Sequence, residues 1–150
     1  MTKQIFATTL SVFCMMALCS CQTSSGNQLN IPYSEQISQT QEIRITDASG
    51  KKTLETLRSK EQIENFINHL EITSWKMEAV PENAEKSGIF TLSQEMTRKS
   101  EQGEESLPLS DICNIYSYRN VPYVSFQVLG VTMEFHVSEK TQEYLNSYFP

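Results

Sequence analysis

The sequence predicts an α+β fold, a mostly antiparallel sheet with two amphipathic helices over about 60–71 and 139–149. Three observations predict it. Seven short segments between residues 42 and 137 read as extended, and only two segments read as helical. Their order, β-β-α-β-β-β-β-β-α, lacks the βαβ alternation that builds a parallel sheet. The last third carries three β-branched or aromatic segments in succession, separated by turn residues, the spacing of antiparallel strands.

Each element has its own reason. Ile43 and Ile45 alternate with charged residues over Glu42–Thr46, a strand with one apolar face. Asp47-Ala-Ser-Gly50 is a turn, with Asp47 placed to satisfy backbone amides. Lys52–Leu57 resumes the extended pattern and completes a hairpin. Ser59 and Gln62 have the spacing of a capping box. Ile63, Phe66, Ile67 and Leu70 then recur at i, i+3, i+4 and i+7, one apolar stripe on a helix.

Trp75, Met77 and Ala79 alternate with polar residues and predict a strand over Thr73–Ala79. Pro81–Gly88 reads as a loop, Ile89–Met96 as a strand, and the charged Thr97–Pro108 as a second loop. Ile112–Tyr118, Val121–Val128 and Val131–Val137 follow as strands, with Arg119-Asn120 and Gly130 at the turns. Pro122 points to an edge or irregular position. Ser138 caps the last helix, whose apolar side is Tyr144, Leu145, Tyr148 and Phe149.

The N-terminal third is different. Lys3 precedes fourteen uncharged, mostly apolar residues, Ile5–Leu18. That run is shorter than the roughly 20 residues of a membrane-spanning helix and fits a secretory leader. It ends in Leu18-Cys19-Ser20-Cys21. These residues resemble the lipobox of bacterial lipoproteins. The resemblance covers residues 1–21 only, and Cys19 departs from the usual Ala, Ser or Thr at its position. It implies that Leu18 and Ser20 are read by the processing machinery. It also implies that Cys21 becomes the first mature residue and carries a diacylglyceryl group. Two acyl chains hold a protein stably at a membrane where one does not. The expected location is therefore a cell membrane, inner or outer, with the protein facing outside the cytoplasm.

Residues 1–20 are thus read as a signal peptide, 21–41 as a polar tether, and 42–150 as one α+β domain. The tether is rich in Ser, Thr, Asn and Gln, without lasting periodicity. About twenty such residues reach roughly 25 Å as a random coil. A second reading of Ile31–Tyr33 pins the tether onto the domain as an edge segment. Loss of Lys3 leaves eleven cations against eighteen acids, a mature charge of −7. Cys113 would remain the single free thiol, so no intramolecular disulfide is expected.

The acidic balance argues against nucleic acid as a partner. No metal-ligand spacing, catalytic elbow or phosphate loop occurs, so no cofactor, metal or catalytic residue is assigned. His69 and His136 are the only histidines, and Asp47 and Asp111 the only aspartates. Cys113 alternates with Ile115, away from Tyr116 and Tyr118, as a buried thiol does. The aromatic residues carry the binding expectation: Trp75, Tyr116, Tyr118 and Tyr123 are candidates for a rigid amphipathic surface. The competing reading places them in the core. The function expected is a membrane-anchored, non-catalytic module that binds an envelope protein, peptide or wall component. The alternative is a small extracytoplasmic hydrolase using loop carboxylates or Cys113.

Overall fold

The computed structural model describes the backbone of residues 37–100 and 103–150, and the side chains of 37–95 and 108–150. Leu18, Ser20, Cys21 and residues 22–36 of the tether lie outside the described residues. The fold is α+β, as the sequence predicts: a seven-stranded antiparallel sheet and two short helices. The strands are β1 (Glu42–Asp47), β2 (Thr53–Leu57), β3 (Lys76–Met77), β4 (Lys86–Ser100), β5 (Gly103–Tyr118), β6 (Tyr123–Val128) and β7 (Val131–His136). The helices are α1 (Lys60–Leu70) and α2 (Glu139–Asn146). The sheet order is β2-β1-β4-β5-β6-β7-β3.

Local chemistry sets the helix starts. At α1 the Ser59 hydroxyl accepts from the Gln62 amide, and the Gln62 side chain accepts from the Ser59 amide. The capping box forms as the spacing predicts. Ser138 accepts from the Thr141 amide and starts α2. Both helices lie against one face of the sheet. Ile63, Phe66 and Leu70 from α1 and Leu145 from α2 join Ile43, Ile45, Phe90, Leu92, Ile115, Val124, Phe126 and Phe135 in one core. Each such side chain stabilises by about 1.5–3 kcal/mol when fully buried. Phe66 and Phe90 meet with ring centroids 5.1 Å apart at the centre of that layer.

Four expectations need correction. The first is the loop over Thr97–Pro108, which is instead part of the long β4–β5 hairpin. The register places Arg98 opposite Glu105 and Lys99 opposite Glu104. β1 pairs β4 only over Gly88–Ser93, and β6 pairs β5 only over Asn114–Ser117. The outer hairpin is therefore a two-stranded ribbon beyond the layered part of the sheet. Its sequence, TRKSEQGEES over 97–106, lacks the apolar alternation that marks a strand.

The second is the strand over Thr73–Ala79. Glu71 adopts a left-handed conformation, a 3-10 turn spans Ile72–Ser74, and only Lys76 and Met77 pair with β7. Trp75 turns back under α1, and its indole Nε1–H donates to the Leu70 carbonyl at 2.6 Å. The third is the end of the last helix. α2 stops at Asn146, yet Tyr148 and Phe149 still pack on Phe90, with centroids 5.6 and 5.4 Å away. The fourth is the tether boundary. Ile37 is buried in the core, and the Gln41 amide donates to Ser93 O at 2.9 Å. Residues 37–41 therefore belong to the folded part.

Candidate binding surface

Strand alternation puts a second set of side chains on the face away from the helices. β1 contributes Arg44, β4 Lys86, Thr91 and Ser93, and β5 Asp111, Asn114, Tyr116 and Tyr118. β6 contributes Tyr123, Ser125 and Gln127, and β7 Thr132, Glu134 and His136. Among the described residues no helix covers this face. It is polar and aromatic where the opposite face is apolar, the pattern of an antiparallel sheet with one solvated side.

Its side chains are tied to one another across strands. Arg44 donates to Asp111 at 3.2 Å, and Ser93 donates to the other oxygen of that carboxylate at 2.8 Å. Thr91 donates to Asn114 Oδ1 at 2.8 Å. The Tyr116 hydroxyl donates to Gln127 Oε1 at 2.8 Å, while the Lys86 ammonium sits 4.5 Å above the Tyr116 ring. The Tyr123 hydroxyl donates to Glu78 at 2.6 Å, and its ring meets His136 edge to face at 5.1 Å. That bond to a carboxylate holds the Tyr123 hydroxyl above the ordinary tyrosine range. Glu134 accepts from the Val80 amide at 2.9 Å, which binds the segment after β3 to this surface. Cross-strand pairs of this kind fix side-chain geometry, so the face presents rings and polar groups with little rotamer freedom left to lose.

The four aromatic candidates separate. Tyr116 and Tyr123 lie half-buried on the polar face, where a partner can reach their rings. Trp75 is 2% exposed, packed on Phe135 at 5.4 Å, and is core. Tyr118 is 7% exposed, and its hydroxyl pairs with Ser125 Oγ at 2.7 Å. Neither Trp75 nor Tyr118 supplies binding surface. The Trp75 indole has a backbone acceptor beneath α1, and Tyr118 is buried where its hydroxyl meets Ser125. Lys86, Gln127, Glu78 and the Arg44–Asp111 pair were not singled out from sequence. The period-two pattern opposite each core residue is the signal that would have placed Arg44, Asn114 and Gln127 beside the tyrosines.

Catalytic geometry does not assemble from Cys113 and His136, and the side chains of the carboxylates over 97–107 lie outside the described residues. Cys113 faces the helices, and burial pushes its thiol up to about 12. His136 is on the opposite face of the sheet. A thiol held protonated, with no base beside it, is not a nucleophile. Asp47 is occupied by its own turn, accepting from Ser49 Oγ at 2.8 Å and from the Lys51 and Lys52 amides. His69 donates from Nδ1 to Asn65 O at 2.8 Å and stacks on Tyr144 at 4.2 Å. Among the described residues no three His, Cys, Asp or Glu side chains gather as a metal site. No helix among them is long and apolar enough to cross a membrane.

No family model matches the chain, and no curated protein or solved structure matches it either.

Proposed function

We propose that the protein is a lipid-anchored, extracytoplasmic module that binds through the polar face of its sheet and performs no catalysis. The anchor would be a diacylglyceryl group on Cys21, reached through the tether. The partner would be an envelope protein, a peptide or a wall component. One observation carries the binding half of this reading: Tyr116 and Tyr123 sit half-buried among cross-linked polar side chains on a face that no described helix covers. Such aromatics give large contact area at low entropic cost. The separation of Cys113 from His136 by the sheet weighs against the Cys–His hydrolase.

The anchor is tested by the intact mass of the mature protein purified from its own cells. The expected N-terminus is Cys21 with a diacylglyceryl modification. Cys21→Ala is expected to move the protein out of the membrane fraction. An unmodified Cys21, or a chain that retains Met1, would overturn the anchor.

A further inference from the structure

A cleft of about 370 Å³ opens where the end of α2 meets the ends of β4 and β5. Its walls include Ser87, Arg119, Gln142, Glu143, Asn146 and Phe149. The volume is at the low end of ligand pockets, the range of a small molecule.

Two features single it out. The first is unmet hydrogen-bonding capacity. Ser87 is 4% exposed, and its hydroxyl has no partner. Asn146 spends its amide nitrogen on Tyr118 O at 3.0 Å, while its buried Oδ1 has no partner. Buried polar atoms in native folds are ordinarily paired, so two unpaired ones in the wall of one cleft call for a group that pairs them. The second is uncommitted charge. Arg119 and Glu143 are both exposed, and among the described residues neither side chain has an ionic or hydrogen-bonding partner. A second cleft, of about 380 Å³ beside α1, differs in this respect. There Arg58 is held by Glu42 at 2.9 Å and Lys60 by Glu64 at 3.6 Å.

We propose that the Arg119–Glu143 cleft binds a small zwitterion of the amino-acid class. Arg119 takes the carboxylate, as a guanidinium does with a planar anion. Glu143 takes the ammonium. The Gln142 amide and the Ser87 and Asn146 oxygens supply polar contacts, and the Phe149 ring and Pro150 give apolar wall. A neutral sugar would engage neither charge. A simple anion would face Glu143, and a simple cation would face Arg119; a ligand bearing both signs can pair with both. This site is separate from the polar face of the sheet and does not depend on the reading above.

The test is calorimetric titration of the full chain in detergent with each of the twenty L-amino acids. At least one is expected to bind with Kd near 1 mM or tighter. Its N-acetyl derivative and its α-amide are each expected to bind about tenfold or more weakly. Arg119→Gln and Glu143→Gln change exposed residues and are expected to fold normally while weakening binding by a similar factor. Ser87→Ala is expected to weaken binding without lowering the unfolding midpoint, which a purely structural hydroxyl would not do. No binding of any amino acid at about 10 mM would overturn the proposal. So would equal binding of the N-acetyl form, or affinity unchanged in Arg119→Gln.

Discussion

Thr141 in α2 donates from Oγ1 to the carbonyl oxygen of His69, in the last turn of α1, at 3.1 Å. Thr141 is fully buried, and the contact, itself partly buried, joins residues 72 apart in sequence. It gives one of the orphan carbonyls at the end of α1 a partner and locks the two helices together. Thr141→Val keeps the shape and removes the donor. It is expected to cost about 1–3 kcal/mol, while Thr141→Ser keeps the hydroxyl and loses less. Urea unfolding followed by circular dichroism measures both. A loss in Thr141→Ser with none in Thr141→Val would assign the effect to the methyl group.

Gly88 lies against the ring of Phe149. A Cβ at that position would come 2.0 Å from Phe149 Cε1 and 2.6 Å from the Thr46 carbonyl oxygen. Gly88→Ala is expected to destabilise by about 1–3 kcal/mol through overpacking. Gly88→Ala combined with Phe149→Ala should recover only part of the Gly88→Ala loss, because the Thr46 backbone cannot move away as a side chain can. A double-mutant cycle by chemical denaturation reads the coupling; strict additivity would show that Phe149 yields freely.

Acid weakens a latch between the same two helices. Glu71 accepts from the Lys140 ammonium at 2.9 Å and from the Ser138 hydroxyl at 3.0 Å. The Lys140 bond, then the Ser138 bond, holds its carboxyl below the ordinary range. Asp47 is lowered in the same direction, first by Ser49 and then by the Lys52 amide. A depressed folded pKa means that the unfolded chain binds protons first. The contribution is therefore complete above the unfolded carboxylate pKa, about 4, and is lost as pH falls through the folded value. Melting temperature measured from pH 7 to pH 2.5 should hold steady down to about pH 5 and then fall. Glu71→Gln should fall less steeply in that acid window.

Much of this fold is legible where a local rule and the tertiary environment agree. Ser59, Gln62 and the Ile63–Leu70 stripe predict α1 because the cap and the buried face are both written within twelve residues. β5, β6 and β7 are legible because Cys113, Ile115, Val124, Phe126 and Phe135 face one layer. The β4–β5 ribbon is hidden because its pairing lies beyond the helix-packed part of the sheet. The strand over Thr73–Ala79 is misread because the 3-10 turn at Ile72–Ser74 and the Trp75 hydrogen bond to Leu70, not strand alternation, set the direction there. On the polar face, alternation separates Tyr116 from Cys113. It cannot show that Gln127 meets Tyr116 or that Glu78 meets Tyr123, since those partners lie 11 and 45 residues away.

Cys113 reports whether the helix-covered face is closed. With its thiol pushed up to about 12, the folded protein at pH 8 should resist iodoacetamide. Alkylation of the peptide containing Cys113 should rise on the order of a hundredfold in guanidinium. Mass spectrometry of the digested protein gives both rates. Similar rates in the two conditions would place the thiol at a reactive surface and revive a nucleophilic role.

The binding claim meets its most direct test in crosslinking from the sheet face in intact cells. A benzophenone side chain replaces Thr132, which is exposed on that face, and in a control it replaces Glu64, exposed on the outer side of α1. The expected result is a discrete adduct from position 132 that is absent from position 64. That adduct should be lost when Tyr116→Ala and Tyr123→Ala are introduced. The same adduct pattern from both positions, or an adduct from 132 indifferent to the two tyrosines, would contradict binding through this face.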